Sequence, residues 1–181
     1  ESIIVNPLPE PDFSFEDVCD NEIMPFTDLT PGNITAWSWD FGDNTPRSNQ
    51  QNPTHGFAAP GPYNVTLQVT DDKGCVNTKT RTVFVHPLPE PDFTWEHKCF
   101  NTYTEFTSTS VLNDPYGTTI DAWFWEFGGG VTSNSENPTH SFPGPGTYNV
   151  TLTVTTSQGC TQTVTIPVGV PAVAPLIAIN D

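Results

Sequence analysis

Basic side chains are scarce in this chain: five Lys and Arg stand against 21 Asp and Glu in 181 residues, for a formal net charge of −16. So acidic a surface repels phosphate, which excludes a protein that holds nucleic acid by its backbone. The plain reading of the charge is solubility through self-repulsion. The sharper readings are Ca²⁺ coordination or life in high salt. A single methionine is present. No apolar run approaches the ~18 residues of a membrane-spanning helix, so no membrane span is expected. There is neither an initiator Met nor a signal-peptide pattern. Glu1 opens in mid-pattern, and the chain reads as a piece cut from something longer. Catalytic constellations are missing too. No Ser/His/Asp or Cys/His arrangement can be picked out, and Gly128-Gly129-Gly130 lacks the Lys and following helix of a phosphate-binding loop.

What the chain has in quantity is proline (19) and glycine (13), with Thr and Val crowding the short apolar stretches. This composition favours many short strands joined by turns. The length is long for one sandwich of about 100 residues and short for two. Internal repetition decides between them. Pro7-Leu8-Pro9-Glu10-Pro11-Asp12-Phe13 recurs residue for residue at Pro87–Phe93. Trp37-Ser38-Trp39-Asp40-Phe41-Gly42-Asp43 recurs as Trp123-Phe124-Trp125-Glu126-Phe127-Gly128-Gly129. Asn52-Pro53-Thr54-His55 and Tyr63-Asn64-Val65-Thr66-Leu67 recur at Asn137–His140 and Tyr148–Leu152, and each copy runs on to a Gly-Cys pair. The offset is 80 at the first motif and 85 or 86 afterwards. The extra residues therefore lie between Thr107 and Trp123, with Ser110–Thr119 as the expected site because of its turn signals. A lengthened loop on one copy is the place to look for copy-specific binding, against the plainer reading of a neutral insertion.

Each copy reads as about seven short strands, at Asp12–Phe15, Pro25–Leu29, Trp37–Phe41 and Asn64–Thr70 in the first and at Asp92–Trp95, Thr104–Thr107, Trp123–Phe127 and Asn149–Thr155 in the second. A period of two puts Trp37, Trp39 and Phe41 on one face. Asp71–Gly74 and Ser157–Gly159 read as hairpin turns into last strands that run to Val85 and Val168. The expected architecture is all-β: two seven-stranded sandwiches of immunoglobulin type. Residues 1–86 form the first domain, with a Pro-rich linker at 6–11. Residues 87–170 form the second, with a linker at 86–91, and 171–181 is a tail or the start of a further linker.

The run Trp-x-Trp-Asp-Phe-Gly-Asp, then Asn-Pro-Thr-His-x-Phe, then Pro-Gly-x-Tyr-x-Val-Thr-Leu-x-Val resembles the PKD domain family, twice over nearly the whole chain. With the added cysteines it is similar to PKD repeats of bacterial surface proteins, notably large Bacteroidetes adhesins and gliding-motility proteins. The resemblance implies an extracellular, non-enzymatic sandwich serving as spacer, force-bearing stalk or adhesive module of a filament. Its partners would be neighbouring PKD-like repeats, and a glycan or protein surface ligand. An accessory substrate-binding module of a secreted hydrolase is the alternative. Gly129 departs from the motif, which puts any shared role of Asp43 in doubt.

Among single residues, His55 and His140 lack the converging partners that a metal or catalytic site requires. The expected job is structural, a side chain bonded to backbone at a turn. Asp40 and Asp43 read as turn residues accepting backbone N–H bonds, or as weak Ca²⁺ ligands. Asp12, Glu16, Asp17, Asp20 and Glu22 form a second acidic run without a dense calcium loop, and no cofactor is expected. Tyr63 and Tyr148 look like the tyrosine corner of such sandwiches. Trp37, Trp39, Trp123 and Trp125 should point inward, while Phe124, across the strand, should be exposed. Trp95 is the remaining tryptophan. The Asn-x-Thr triplets at Asn33, Asn64 and Asn149 carry no weight, being common by chance in Thr-rich strands.

Cys19, Cys75, Cys99 and Cys160 occupy matched positions and point to disulfides. One bridge per domain, Cys19–Cys75 and Cys99–Cys160, is the default. It meets a topological difficulty. Cys19 at the corner after the first strand and Cys75 at the last hairpin should lie at opposite ends of a sandwich, about 23 Å apart over a seven-residue strand, whereas a bridge requires Cα atoms within roughly 7 Å. The competing pairing is an interdomain Cys19–Cys160 link, with Cys75 and Cys99 serving neighbours. The alternating prolines of 86–91 favour polyproline II and a stiff joint.

Overall fold

The computed structural model describes residues 6–97 and 103–172. The chain divides into two units, Glu1–Pro87 and Leu88–Asp181. Each has seven strands among its described residues: β1 (Phe13–Phe15), β2 (Val18–Cys19), β3 (Met24–Asp28), β4 (Ile34–Asp40), β5 (Thr54–His55), β6 (Gly61–Asp71) and β7 (Val76–His86) in the first, then β8 (Phe93–His97), β9 (Thr104–Ser108), β10 (Ile120–Glu126), β11 (Thr132–Ser133), β12 (Thr139–His140), β13 (Gly146–Thr156) and β14 (Thr161–Val170) in the second. The first unit packs a β1-β3-β5 sheet on a β2-β7-β6-β4 sheet, and the second a β8-β9-β12 sheet on a β11-β10-β13-β14 sheet.

Period-two patterning explains why these residues make sandwiches. Along β6, Val65, Leu67 and Val69 are fully buried while Asn64, Thr66 and Gln68 between them face outward, and Val150, Leu152 and Val154 repeat this in β13. The two long hairpins β6–β7 and β13–β14 are closed by matching turns, with Asp71 N–H bonding Cys75 O at 3.0 Å and Thr156 N–H bonding Cys160 O at 2.9 Å. Each core is built around the second tryptophan of the motif. Trp39 lies edge-on to Phe13 at 5.1 Å, and Trp125 to Phe93 at 5.0 Å. Both indoles are fully buried and each N–H finds a carbonyl at 2.9 Å, Gln50 O or Ser135 O, as a buried Trp requires. Trp37 and Trp123 pack half-buried at the core margin. Their N–H partners differ between copies, the Asp28 carboxylate at 2.7 Å and the Ser108 hydroxyl at 3.1 Å.

The longer second copy carries its extra residues between β9 and β10. That loop is tied down by paired Glu90 and Val111 backbones and by the Asp114 carboxylate, which accepts the N–H groups of Tyr116 (2.9 Å) and Thr118 (2.7 Å).

Candidate functional site

The sequence motifs converge at one end of each sandwich, where the chain leaves β4 or β10. In the first unit Asp40 closes the strand and Gly42 turns the backbone with φ of 75°. A Cβ at Gly42 would stand 2.6 Å from Asn64 O, so only glycine fits. The Asp40 carboxylate accepts the Gly42 N–H (3.0 Å) and the Arg47 guanidinium (2.9 Å). Asp43 accepts both the N–H (3.1 Å) and the hydroxyl (2.6 Å) of Thr45, an Asx turn. Its second oxygen takes the Nε2–H of His55 at 2.7 Å.

His55 comes from β5, in the opposite sheet, and lies flat against Phe41 with ring centroids 3.9 Å apart and planes 1° from parallel. Phe57 meets it edge-on. The histidine therefore bonds a carboxylate and not, as expected from sequence, the backbone of a turn. Asp43 lies across the turn with its side chain 9% exposed, and accepts the hydrogen bond from the imidazole N–H that the surrounding rings cannot. Burial pushes the Asp43 carboxyl up, but the bonds from the Thr45 hydroxyl, the His55 ring and the Thr45 N–H outweigh this and hold it below the ordinary carboxylate value. The acidic motif residue that looked like a weak calcium ligand thus has its oxygens committed to protein donors, and Asp40 likewise. Among the described residues no group of three or more His, Cys, Asp or Glu is placed to hold a metal ion.

The second copy keeps the rings and drops the acid. His140 stacks on Phe127 at 4.4 Å and meets Phe142 edge-on at 4.6 Å. Where Asp43 stood there is Gly129, flanked by Gly128 and Gly130, all three at positive φ. Burial pushes the His140 imidazole below its ordinary value. At the other motif position Tyr63 bonds Ala59 O at 2.7 Å and Tyr148 bonds Gly144 O at 3.0 Å, each four residues upstream, the geometry of a tyrosine corner.

A family model described as "PKD domain" matches residues 6–85 and again 88–170. The chain belongs to the PKD domain family. The PKD pair is 34% identical over 140 residues to the pre-pro-metalloprotease PrtV of Vibrio cholerae serotype O1, covering 76% of this chain and 15% of the protease. It is also 44% identical over 57 residues to a microbial collagenase of Vibrio alginolyticus, covering 32% of this chain and 7% of the collagenase. Among solved structures the PKD1 domain of the Vibrio cholerae metalloprotease PrtV aligns with 33% identity and a TM-score of 0.39, over 44% of this chain and 98% of that domain. The tandem thus spans a small part of the proteins it resembles.

The Cys19–Cys75 bridge of the default pairing is absent, because Cys75 is a free thiol. Cys19 and Cys160 are each oxidised to a disulfide, while Cys75 is not. The reason is the parallel pairing of β2 with the end of β7, which sets Cys19 beside His86. Cys75 precedes the start of that strand. Eleven residues of extended chain separate the two ends, about 35 Å, so a Cys19–Cys75 bridge cannot form. Cys99, and with it the Cys99–Cys160 pairing, lies outside the described residues.

At the corner after the first strand, Asp17 accepts the Phe84 N–H at 2.8 Å. The matched His97 instead bonds Gly169 O. Sequence reasoning missed both the Asp43–His55 pair and this exchange of acceptor for donor. The only signal for the first was the coincident change of Asp43 to Gly129 beside an unchanged histidine. Phe124 faces solvent on β10, 41% exposed.

Proposed function

We propose that this PKD pair is a non-catalytic module of a larger secreted or cell-surface protein, serving as a spacer or stalk segment that holds other parts at a distance. The observation that carries the reading is that the first copy's motif carboxylates and histidine, and the tyrosines of both copies, are engaged by the fold. Asp40 and Asp43 accept turn donors, His55 is stacked and bonded, and the tyrosines close corners. Tandem repetition, a Pro-rich joint and oxidised cysteines support an extracellular, load-bearing role. Among the described residues no helix is long and apolar enough to cross a membrane. The proposal includes the Cys19–Cys160 pairing. It is supported by the oxidation of Cys19 and Cys160, the free Cys75, and the length of β7, which keeps Cys75 far from Cys19.

Non-reducing peptide mapping tests this. A Cys19–Cys160 peptide with alkylated Cys75 is expected. A Cys99–Cys160 peptide would remove the covalent element of the stalk reading. The resemblance to a protease and a collagenase favours a second reading, an accessory module that meets substrate beside a catalytic domain.

A further inference from the structure

We propose that the glycine turn of the second domain, with His140 at its edge, is a binding site for a carboxylate supplied from outside the domain, which takes there the place that Asp43 fills in the first. This goes beyond the stalk reading and does not rest on it.

The two domains build the same cage around their histidine. In each, the ring lies flat on a motif phenylalanine, at 3.9 Å and 1° for His55 on Phe41 and at 4.4 Å and 9° for His140 on Phe127. In each, a second phenylalanine meets it edge-on, Phe57 at 84° and Phe142 at 87°. That second ring stacks in turn on the corner tyrosine, at 4.2 Å in the first domain and 4.4 Å in the second. An unchanged cage turns the same edge of the imidazole toward the turn that follows β4 or β10. In the first domain that edge meets Asp43, with Oδ2 2.7 Å from His55 Nε2. In the second the turn is Gly128-Gly129-Gly130. A Cβ on any of the three would meet nothing within 4 Å, so there is room beside the ring. The turn closes through Gly128 O, which accepts the Val131 N–H, and leaves the N–H groups of Gly129 and Gly130 without a backbone acceptor among the described residues.

The chemistry of this set selects the ligand. Phe127 and Phe142 occupy the surroundings of the imidazole, and a hydrogen bond can form only at its open edge. What the site offers is donors: a ring N–H and the amides of the turn. A planar group with two acceptor oxygens answers both, as Asp43 divides its oxygens between His55 and Thr45. An ionised acid also supplies the counter-charge that a protonated His140 lacks, and such bonds are stronger than neutral ones. The titratable groups on the elements around the cage are Glu126 on β10, Glu105 on β9, His97 on β8, Tyr148 on β13 and Glu136 in the loop between β11 and β12. Among the described residues none of these carboxylates forms an ion pair with His140. The glutamates make the surroundings negative, so affinity comes from the local hydrogen bonds and not from a long-range field. Either an acidic side chain of a partner or a small free carboxylate has the required group.

The test is NMR of the imidazole C–H signals in the whole chain, titrated over pH in sodium acetate, sodium chloride and sodium sulfate at one ionic strength. Acetate should raise the proton affinity of His140 about threefold or more, because an opposite charge within hydrogen-bonding reach favours the protonated ring. His55, with its acid in place, should not respond, nor should His86. His140→Phe keeps an aromatic ring in the cage and should abolish the acetate-dependent shifts of the amides of 128–130. Asp43→Gly should make His55 respond to acetate as His140 does, and if that variant does not fold, the contrast of His140 with His55 in the wild type still decides. Short blocked peptides carrying Asp or Asn separate the two sources. An Asp peptide that acts more tightly than acetate identifies a partner's acidic side chain, and one that acts no more tightly identifies a small free carboxylate. No response of His140 to acetate or the Asp peptide, an equal response to chloride, sulfate or the Asn peptide, or amide shifts that persist in His140→Phe overturns the proposal.

Discussion

Replacing Asp43 by Ala removes three hydrogen bonds at once, two from Thr45 and one from His55. The Thr45 groups sit at an exposed position and will bond water instead, so each contributes only about 0.5 kcal/mol. The His55 bond lies between side chains 14% and 9% exposed, and its loss strands an imidazole N–H against Phe41. A charge-assisted bond in that setting is worth about 1.5–3 kcal/mol. The sum is about 2.5–4 kcal/mol, which should lower the melting temperature of the first domain by roughly 10–30 °C. The second domain has Gly129 at this position and should melt unchanged. Hydrogen exchange followed peptide by peptide separates the two domains within one chain. The effect should depend on pH with a definite sign. The folded Asp43 carboxyl is held below its unfolded value, so its contribution is complete above the unfolded carboxylate pKa of ~3.9 and fades as pH falls through the folded value. Wild type and Asp43→Ala should therefore converge in acid. A cost below ~0.5 kcal/mol at neutral pH, or a gap unchanged in strong acid, would refute the role assigned to the pair.

The His140 imidazole is held below its ordinary value by burial without a matching acid. The second domain should thus lose stability as pH falls below ~6.5, and exchange rates of 139–142 read against pH will show it. Tyr63→Phe and Tyr148→Phe should each cost about 1 kcal/mol in their own domain by chemical denaturation, the worth of one hydrogen bond. Gly42→Ala should destabilise the first domain well beyond what Gly128→Ala costs the second, for both have positive φ but only Gly42 meets a backbone oxygen. Differential alkylation should label Cys75 without reductant and reach Cys19 and Cys160 only after it.

Much of the fold was legible because it is written twice. Residues that recur at matched offsets had to serve the same local geometry, and period two then told inward Trp125 from outward Phe124. The turn at Asp71–Gly74 and the tyrosine corners follow from local rules and could be read locally. The Asp43–His55 contact could not. It joins residues twelve apart that enter from different sheets, and neither spacing nor composition reports which loops fold back on one another. The short strands β2 and β5 escaped for a related reason. Two-residue strands have no period, and the parallel pairing of β2 with β7, which decides where Cys19 lies, exists only once the sandwich is closed. The replacement of Asp28 by Ser108 under the half-buried tryptophans is similarly invisible in sequence, since either side chain suits a strand end.

Pulling single molecules by their ends, oxidised and then reduced, tests the load-bearing reading most directly. The matched spans 6–85 and 88–170 predict that the reduced chain unfolds in two steps, each releasing about 270 Å at ~3.4 Å per residue. With Cys19 joined to Cys160, the oxidised chain should show neither step, because the residues between the two cysteines are shielded from extension. Two full steps in the oxidised chain, or smooth lengthening with no steps in the reduced one, would contradict the account.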